Sequence, residues 1–108
     1  MNNLVSLKSD CIRALEICIK NCQRVIEKHN DKEEMQHCIQ MCKLCIDACL
    51  DCISACESVQ ANRGQFMLIC AEICNACIAN FENHVNLECQ KFTSACKDCV
   101  DEFSNVMA

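Results

Sequence analysis

Six cysteines recur at alternating steps of four and three residues near the middle of the chain. They are Cys38, Cys42, Cys45, Cys49, Cys52 and Cys56. Because successive residues of an α-helix advance about 100° around its axis, all six sulfurs fall within an arc of roughly 80°. Thiolates are soft ligands that suit Cu(I), zinc and iron–sulfur clusters. The run therefore predicts a metal-binding face on one helix, where an amphipathic helix normally carries leucine or isoleucine.

The other nine cysteines form shorter runs with related spacing. They are Cys11, Cys18, Cys22, Cys70, Cys74, Cys77, Cys89, Cys96 and Cys99. Fifteen cysteines in 108 residues would usually indicate a disulfide scaffold. However, the count is odd, and a bridge between neighbours on one helix is strained and closes almost no loop. We therefore expect reduced thiols that bind metal.

The helices that must position these thiols follow from the turn residues. The chain has one glycine and no proline, which favours a few long helices with short connections. Periodicity predicts helices over Asn3–His29, Lys32–Gln60, Gln65–Asn83 and Leu87–Val106. We predict that residues 1–108 form a single all-α domain, an antiparallel four-helix bundle with a core lined by cysteine.

Two local features are expected at the connections. Asn30 or Asp31 can supply an N-cap for the second helix, because their side chains accept hydrogen bonds from free backbone N–H groups. Gly64 can take the left-handed conformation that ends or joins helices. The apolar residues expected beside the cysteines on the buried faces are Leu4, Leu7, Leu15, Ile26, Phe66, Phe81, Phe92 and Phe103.

An antiparallel bundle also sorts the remaining residues between its two ends. One end is predicted to gather His29, Met35, His37, Met41 and His84. The opposite end is predicted to be an apolar plug of Leu4, Phe66, Met67, Phe103 and Met107. Imidazole and thioether are weaker copper ligands than thiolate. We predict His29, His84 and Met35 as ligands at the histidine end, while His37 is displaced by about 100° from Cys38 around the helix.

Charge and geometry distinguish the possible metals. A zinc ion with four thiolates carries excess negative charge, so several such sites stacked in a dry core would be costly. A cubane iron–sulfur cluster needs four ligands that converge from a wrapping loop, whereas these sulfurs lie along a rod. Cu(I) accepts two or three thiolates, and bridging thiolates leave a filled core neutral. The sequence favours Cu(I), with a zinc or general thiol reservoir and an iron–sulfur electron carrier as alternatives.

The number of thiols sets the expected capacity. Unshared pairs of thiolates would hold about seven Cu(I) ions per chain, and full bridging would hold about fifteen. We expect a number between these, nearer the upper one. An unfilled core made of so many small cysteines would be underpacked.

The remaining sequence features exclude several function classes. The net charge is −5, and the lysines and arginines are scattered, so no basic face for nucleic acid is expected. No apolar run approaches the length that spans a membrane, and no secretory signal is recognisable. No Ser/His/Asp set, phosphate-binding glycine loop or paired carboxylate site is apparent. We expect a cytoplasmic protein that is not an enzyme.

The run Cys38–Cys56, together with the runs Cys70–Cys77 and Cys96–Cys99, resembles the bacterial copper storage proteins. The resemblance covers nearly the whole chain and is strongest to the cytosolic branch. It implies a four-helix bundle whose inward cysteines bind many Cu(I) ions, a histidine- and methionine-bearing open end, and a homotetramer. The implied partners are copper ions and a copper chaperone or acceptor. The first and fourth helices each depart from the pattern by one missing cysteine, near Leu15 in the first and near Phe92 or Thr93 in the fourth.

Overall fold

The computed structural model describes residues 3–58 and 61–107, and it describes side chains within residues 9–58 and 61–106. The described part of the chain contains four α-helices and a short 3₁₀ turn, with no strand. The helices are α1 (Asn3–His29), α2 (Gln36–Glu57), α3 (Arg63–Phe81) and α4 (Leu87–Met107), and the 3₁₀ turn is Glu33–Met35. The all-α prediction is confirmed.

The helices pack as an antiparallel bundle. Helices α1 and α3 each lie against both α2 and α4, and the resulting rod measures 48 × 19 × 19 Å. The end of α1 meets the start of α4, where His29 contacts Glu88. The end of α3 meets the start of α2, where His84 contacts Cys38. The predicted up-down-up-down arrangement is therefore confirmed, with one inner face from each helix turned toward a common axis.

Helix α2 begins at Gln36 and not at Lys32 as predicted. The predicted cap from Asn30 or Asp31 is wrong, because Lys32 and Met35 occupy the N-cap positions and neither makes a side-chain cap bond. The Gln36 side-chain amide instead donates to the backbone carbonyls of Asn30 and Lys32, both at 3.0 Å. A side chain from inside the helix therefore ties down the connection that precedes it.

The connection between α2 and α3 also differs from the prediction. Helix α2 ends at Glu57, and the predicted end at Gln60 lies outside the described residues. Helix α3 begins at Arg63, because the backbone N–H of Gln65 already donates to the carbonyl of Asn62 at 3.0 Å. Gly64 therefore lies in the first turn of α3, and the left-handed conformation predicted for it is wrong.

The connection between α3 and α4 is short. Helix α3 ends at Phe81, before the predicted Asn83, and α4 begins at Leu87 as predicted. The Asn86 side-chain oxygen accepts a hydrogen bond of 2.9 Å from the backbone N–H of Cys89. This contact satisfies one of the free donors at the start of α4 and fixes where that helix begins.

Two of the predicted buried residues are replaced by their neighbours. Val25 is fully buried on α1, whereas Ile26 is half-buried. Met67 is buried on α3, whereas Phe66 is half-buried. Val25 follows Cys22 by three residues, and Met67 precedes Cys70 by three, so a step of three continues each buried stripe better than the predicted step of four.

Helix α3 has the length and composition of a membrane span, with a mean hydropathy of 1.3. The expectation that no apolar run approaches this length is corrected for α3. Its cysteines raise its hydropathy but face the inside of the bundle, where α2 and α4 cover them. Leu68 and Ile69 on its outer side expose more than half of their surface.

Candidate metal centre

The inner faces of the four helices form a column of sulfur. All fifteen cysteines are buried, and none of them takes part in a disulfide. Helix α2 contributes six, and the other three helices contribute three each. The alternating steps of three and four keep each set on one side of its helix, as the sequence predicts. The packing of the four helices then brings these sides together.

Four thiols meet midway along this column, one from each helix. We call them the cysteine quartet: Cys18, Cys45, Cys74 and Cys96. Their sulfur atoms all lie within 4.8 Å of one another. Cys18 Sγ is 3.7 Å from Cys45 Sγ and 3.9 Å from Cys96 Sγ. The spacing on each helix does not reveal which cysteines share a level, so the sequence missed this grouping.

A second sulfur contact lies one turn from the quartet. Cys49 Sγ on α2 is 3.8 Å from Cys70 Sγ on α3. Steps of four join Cys45 to Cys49 and Cys70 to Cys74, so the two levels are connected along each helix as well as across the bundle. The thiols therefore form a continuous array in which one sulfur can bridge two metal ions.

Hydrogen bonding between thiols separates their pKa values near the quartet. The thiol of Cys22 is a hydrogen-bond partner of Cys18 and lowers its pKa, with further contributions from Cys45 and Cys49. The same contact raises the pKa of Cys22, because ionised Cys22 could no longer donate to Cys18. Cys18 is therefore the more readily ionised member of this pair.

Toward the two ends, burial is the main influence on the thiols. Desolvation raises the pKa of Cys11 to about 12 and that of Cys89 to about 11. It also raises the pKa of Cys38, and neighbouring Cys42 adds to the shift. These thiols carry their protons at neutral pH, so each must release a proton when a metal binds.

One end of the column brings an imidazole to a thiol. His84 Nε2 lies 3.3 Å from Cys38 Sγ. The His84 ring also packs against Phe81, with ring centroids 5.7 Å apart. His84 is half-buried, so its ring lies between the solvent and the sulfur column. The predicted position of His84 at this end is confirmed.

His29 is at the same end but has other partners. Lys32 Nζ donates to His29 Nδ1 at 3.0 Å, which leaves the proton on Nε2. His29 Nε2 then donates to Glu88 Oε1 at 3.1 Å. Both ring nitrogens are therefore engaged outside the sulfur column. Glu88 could not be identified from the sequence, because it reads as an ordinary acidic residue at the start of a helix.

The other residues assigned to this end differ in burial. Met35 is buried in the core, while Met41 is half-buried. The Met41 backbone carbonyl accepts a weak hydrogen bond of 3.8 Å from Cys77 Sγ. His37 is exposed, and its Nε2 lies 3.2 Å from Asn80 Oδ1. His37 therefore faces away from the thiols, in agreement with its displacement around the helix.

Two aromatic rings also lie near the histidine end. Phe81 and Phe92 are buried and meet edge to face, with centroids 4.9 Å apart. The sequence placed both on buried stripes but did not bring them together. Together with His84, which packs against Phe81, the two rings form an apolar cluster beside the end of the column.

At the opposite end Met67 and Phe103 are buried, in agreement with the predicted plug. Phe66 is half-buried there, and the side chains of Leu4, Leu7 and Met107 lie outside the described residues.

The two missing steps of the cysteine pattern are filled by larger residues. Leu15 lies between Cys11 and Cys18 on α1, and Phe92 lies between Cys89 and Cys96 on α4. Both side chains are fully buried. They therefore occupy core volume that cysteine occupies elsewhere in the column.

Comparisons with known proteins agree with this geometry. The sequence model of the family described as copper storage protein matches residues 2–108. A structure described as the Cu(I)-bound copper storage protein BsCsp3 is similar to this chain, with a TM-score of 0.87 and 25% identity. The match covers 94% of this chain and 99% of that one.

The apo form of copper storage protein 3 from Bacillus subtilis is also similar. It has a TM-score of 0.84 and 27% identity, over 93% of this chain and 98% of that one. No curated protein matches the sequence. Because the family match extends over nearly all of a bundle whose cysteines line its core, the chain belongs to the copper storage protein family.

Proposed function

We propose that this protein stores Cu(I) inside its bundle, bound to the thiolates of the sulfur column. The observation that carries the proposal is the burial of all fifteen cysteines without a disulfide. Reduced thiols on four facing helices supply many soft ligands for a metal such as Cu(I). Family membership supports storage as the role, and we propose no enzymatic activity.

The choice of Cu(I) rests on charge in a buried space. The column is closed off from water, so uncompensated charge within it is costly. One Cu(I) per thiolate is neutral, whereas many tetrathiolate zinc sites would accumulate negative charge. Iron–sulfur clusters are disfavoured as well, because most of the sulfurs lie along a rod, and the four that do converge lie within 4.8 Å of one another, which leaves room for one ion but not for a cluster of several irons.

We propose that the copper ligands are all fifteen cysteines, with contributions from three residues at the histidine end. The cysteines are Cys11, Cys18, Cys22, Cys38, Cys42, Cys45, Cys49, Cys52, Cys56, Cys70, Cys74, Cys77, Cys89, Cys96 and Cys99, and the additional ligands are His29, His84 and Met35.

Copper reaches the column through the histidine end. Cys38 and His84 offer a thiol and an imidazole 3.3 Å apart at the edge of the core, which supports them as the first ligands. His29 binds an ion only after it gives up Glu88 or Lys32. Met35 is buried at the same end and offers a thioether to an ion that is moving inward.

A titration of reduced apo-protein with Cu(I), in the presence of a chelator that competes for the ion, tests the proposal. We expect tight binding of more than about seven and up to about fifteen ions per chain, since thiolates can bridge. Saturation at one or two ions would refute storage.

Two cheap observations separate the alternatives. An iron–sulfur protein is brown, whereas Cu(I) thiolates are colourless and absorb only in the ultraviolet. A zinc or general thiol reservoir would carry zinc in preference to copper after growth in copper-supplemented medium. Metal analysis of the purified protein therefore decides between copper storage and both alternatives.

We further propose that the protein is a cytoplasmic homotetramer which exchanges copper with a chaperone or acceptor. Apolar side chains on the outer surface support assembly, because Leu44, Leu50, Leu68 and Ile69 each expose more than half of their surface. Light scattering during gel filtration measures the assembly, and fractionation of cells measures the location. A monomer, or a protein recovered outside the cytoplasm, would refute these two points.

A further inference from the structure

The cysteine quartet has the spacing of a tetrahedral site for one divalent ion. A zinc–thiolate bond is about 2.3 Å long, which puts the sulfurs of a tetrahedral site about 3.8 Å apart. The sulfur of Cys18 lies 3.7 Å from that of Cys45 and 3.9 Å from that of Cys96. All four sulfurs, including Cys74, fall within 4.8 Å of one another. Small movements of side chains would complete the tetrahedron.

The quartet differs from the rest of the column because every helix contributes one sulfur to it. Its four sulfurs come from four different helices, so they approach a common centre from four directions. Among the described residues, it is the one group of three or more cysteine, histidine or acidic side chains whose ligand atoms lie close enough together to hold a metal ion. A single Cu(I) ion needs only two or three thiolates, whereas zinc in closed protein sites takes four.

We propose that the quartet binds a single Zn²⁺ ion in the copper-free protein. Four thiols lose their protons to solvent when Zn²⁺ binds, and no oxidation or reduction takes place. The ion holds the middle of the four helices together until Cu(I) displaces it. This role is separate from copper storage and does not depend on it.

The surroundings limit the site to one ion. A zinc ion with four thiolates has a net charge of about −2, which is costly in a core closed off from water. A second tetrathiolate ion at the level of Cys49 and Cys70, one turn away, would place another charge of about −2 beside the first in the same buried column. The same column therefore accepts one divalent ion but not a series of them.

Titration of reduced, metal-free protein with Co²⁺ under anaerobic conditions tests the proposal. We expect one Co²⁺ per chain, with the visible absorption bands of a tetrahedral thiolate site, and Zn²⁺ should remove these bands by displacement. Cys45→Ser should weaken Co²⁺ binding at least about 100-fold, because it removes one of the four ligands. The control is Ala55→Ser, which places the same hydroxyl at a buried position of α2 that carries no thiol, and it should keep the full signal.

Circular dichroism checks that both variants are folded, and cadmium NMR of the wild-type protein gives a result that needs no variant. One cadmium resonance in the range of four-sulfur coordination supports the site. More than one Co²⁺ per chain, no tetrahedral bands, or equal losses in the two variants would overturn the proposal. If Co²⁺ fails to bind while Cu(I) capacity is intact, this inference is wrong and the storage proposal stands.

Discussion

At the scale of single residues, the protein uses cysteine both as core and as ligand. A buried thiol packs like a small apolar side chain until it loses its proton, after which it can hold a metal. At Leu15 and Phe92 a larger apolar side chain fills the core but supplies no ligand, so the column loses one thiol at each position. At the histidine end, burial and contacts separate His84, which touches a thiol, from His37, which is turned outward.

We expect His84→Ala to slow the uptake of Cu(I) from a chelate about tenfold, equivalent to about 1.4 kcal/mol at the transition state. The reason is that the imidazole beside Cys38 is the first ligand an arriving ion meets in our proposal. Stopped-flow absorbance in the ultraviolet measures the rate. The control His37→Ala removes an exposed histidine and should leave the rate unchanged. Equal rates for wild type and His84→Ala would contradict a role for His84 in uptake.

We expect Leu15→Cys to raise copper capacity by about one ion, because it restores the missing step on α1 and adds a bridging thiolate. The apo-protein should lose about 2 kcal/mol of unfolding free energy, because the smaller side chain leaves a cavity. Cu(I) titration and urea denaturation measure the two effects. Leu15→Ala is the matched control, with a similar loss of stability and no gain in capacity. If both variants hold the same amount of copper, the column does not extend through this position.

At the scale of elements, the long helices keep the cysteines in register. Helix α2 is the most regular, with six thiols in phase over its 22 residues. Its start depends on Gln36 and its neighbours, whereas α4 starts at the Asn86 cap. Helix α3 starts one residue before Gly64, so this glycine has a helical position and no need for a left-handed one.

We expect Gly64→Ala to stabilise the apo-protein by about 0.5–1 kcal/mol, because alanine loses less backbone entropy in a helix than glycine does. A Cβ atom at this position would meet nothing within 4 Å. Urea denaturation measures the change. Ala79→Gly, at an exposed position inside the same helix, is the matched control and should destabilise by a similar amount. A loss of stability in Gly64→Ala would indicate that residue 64 is not helical.

At the scale of the whole molecule, the packing of four helices encloses thiols that a single helix would leave exposed to solvent. The apo core consists largely of thiols, which are smaller than the leucine or isoleucine of an ordinary bundle. Copper contributes the contacts that this core lacks, so storage and stability are linked: an ion that binds only the folded chain stabilises it.

We expect the unfolding free energy of the apo-protein to fall as the pH rises from about 9 to about 12. Unfolded thiols ionise near the ordinary value of 9.0, whereas burial raises the pKa of Cys11 to about 12. Cys89 follows the same direction, with a pKa of about 11. Below pH 9 both states keep their protons, and above it the unfolded state gains by ionising. The stabilisation is therefore present at neutral pH and is lost in alkali.

Urea denaturation at stepped pH under reducing conditions measures this loss. The copper-loaded protein is the control, because its thiols have already given up their protons to the metal and its stability should change less. A flat profile for the apo-protein between pH 9 and 12 would show that the thiols are solvated in the folded state.

The sequence alone determined that the chain forms four helices and that each presents thiols on one side, since helical periodicity acts within a segment. It also determined which end collects His29, His84 and Met35, because an antiparallel order follows from short connections. Only the tertiary structure decided which thiols share a level, that Val25 and Met67 are buried more than Ile26 and Phe66, and that Glu88 binds His29. These features depend on the axial offset and rotation of one helix against another, and contacts between distant segments fix both.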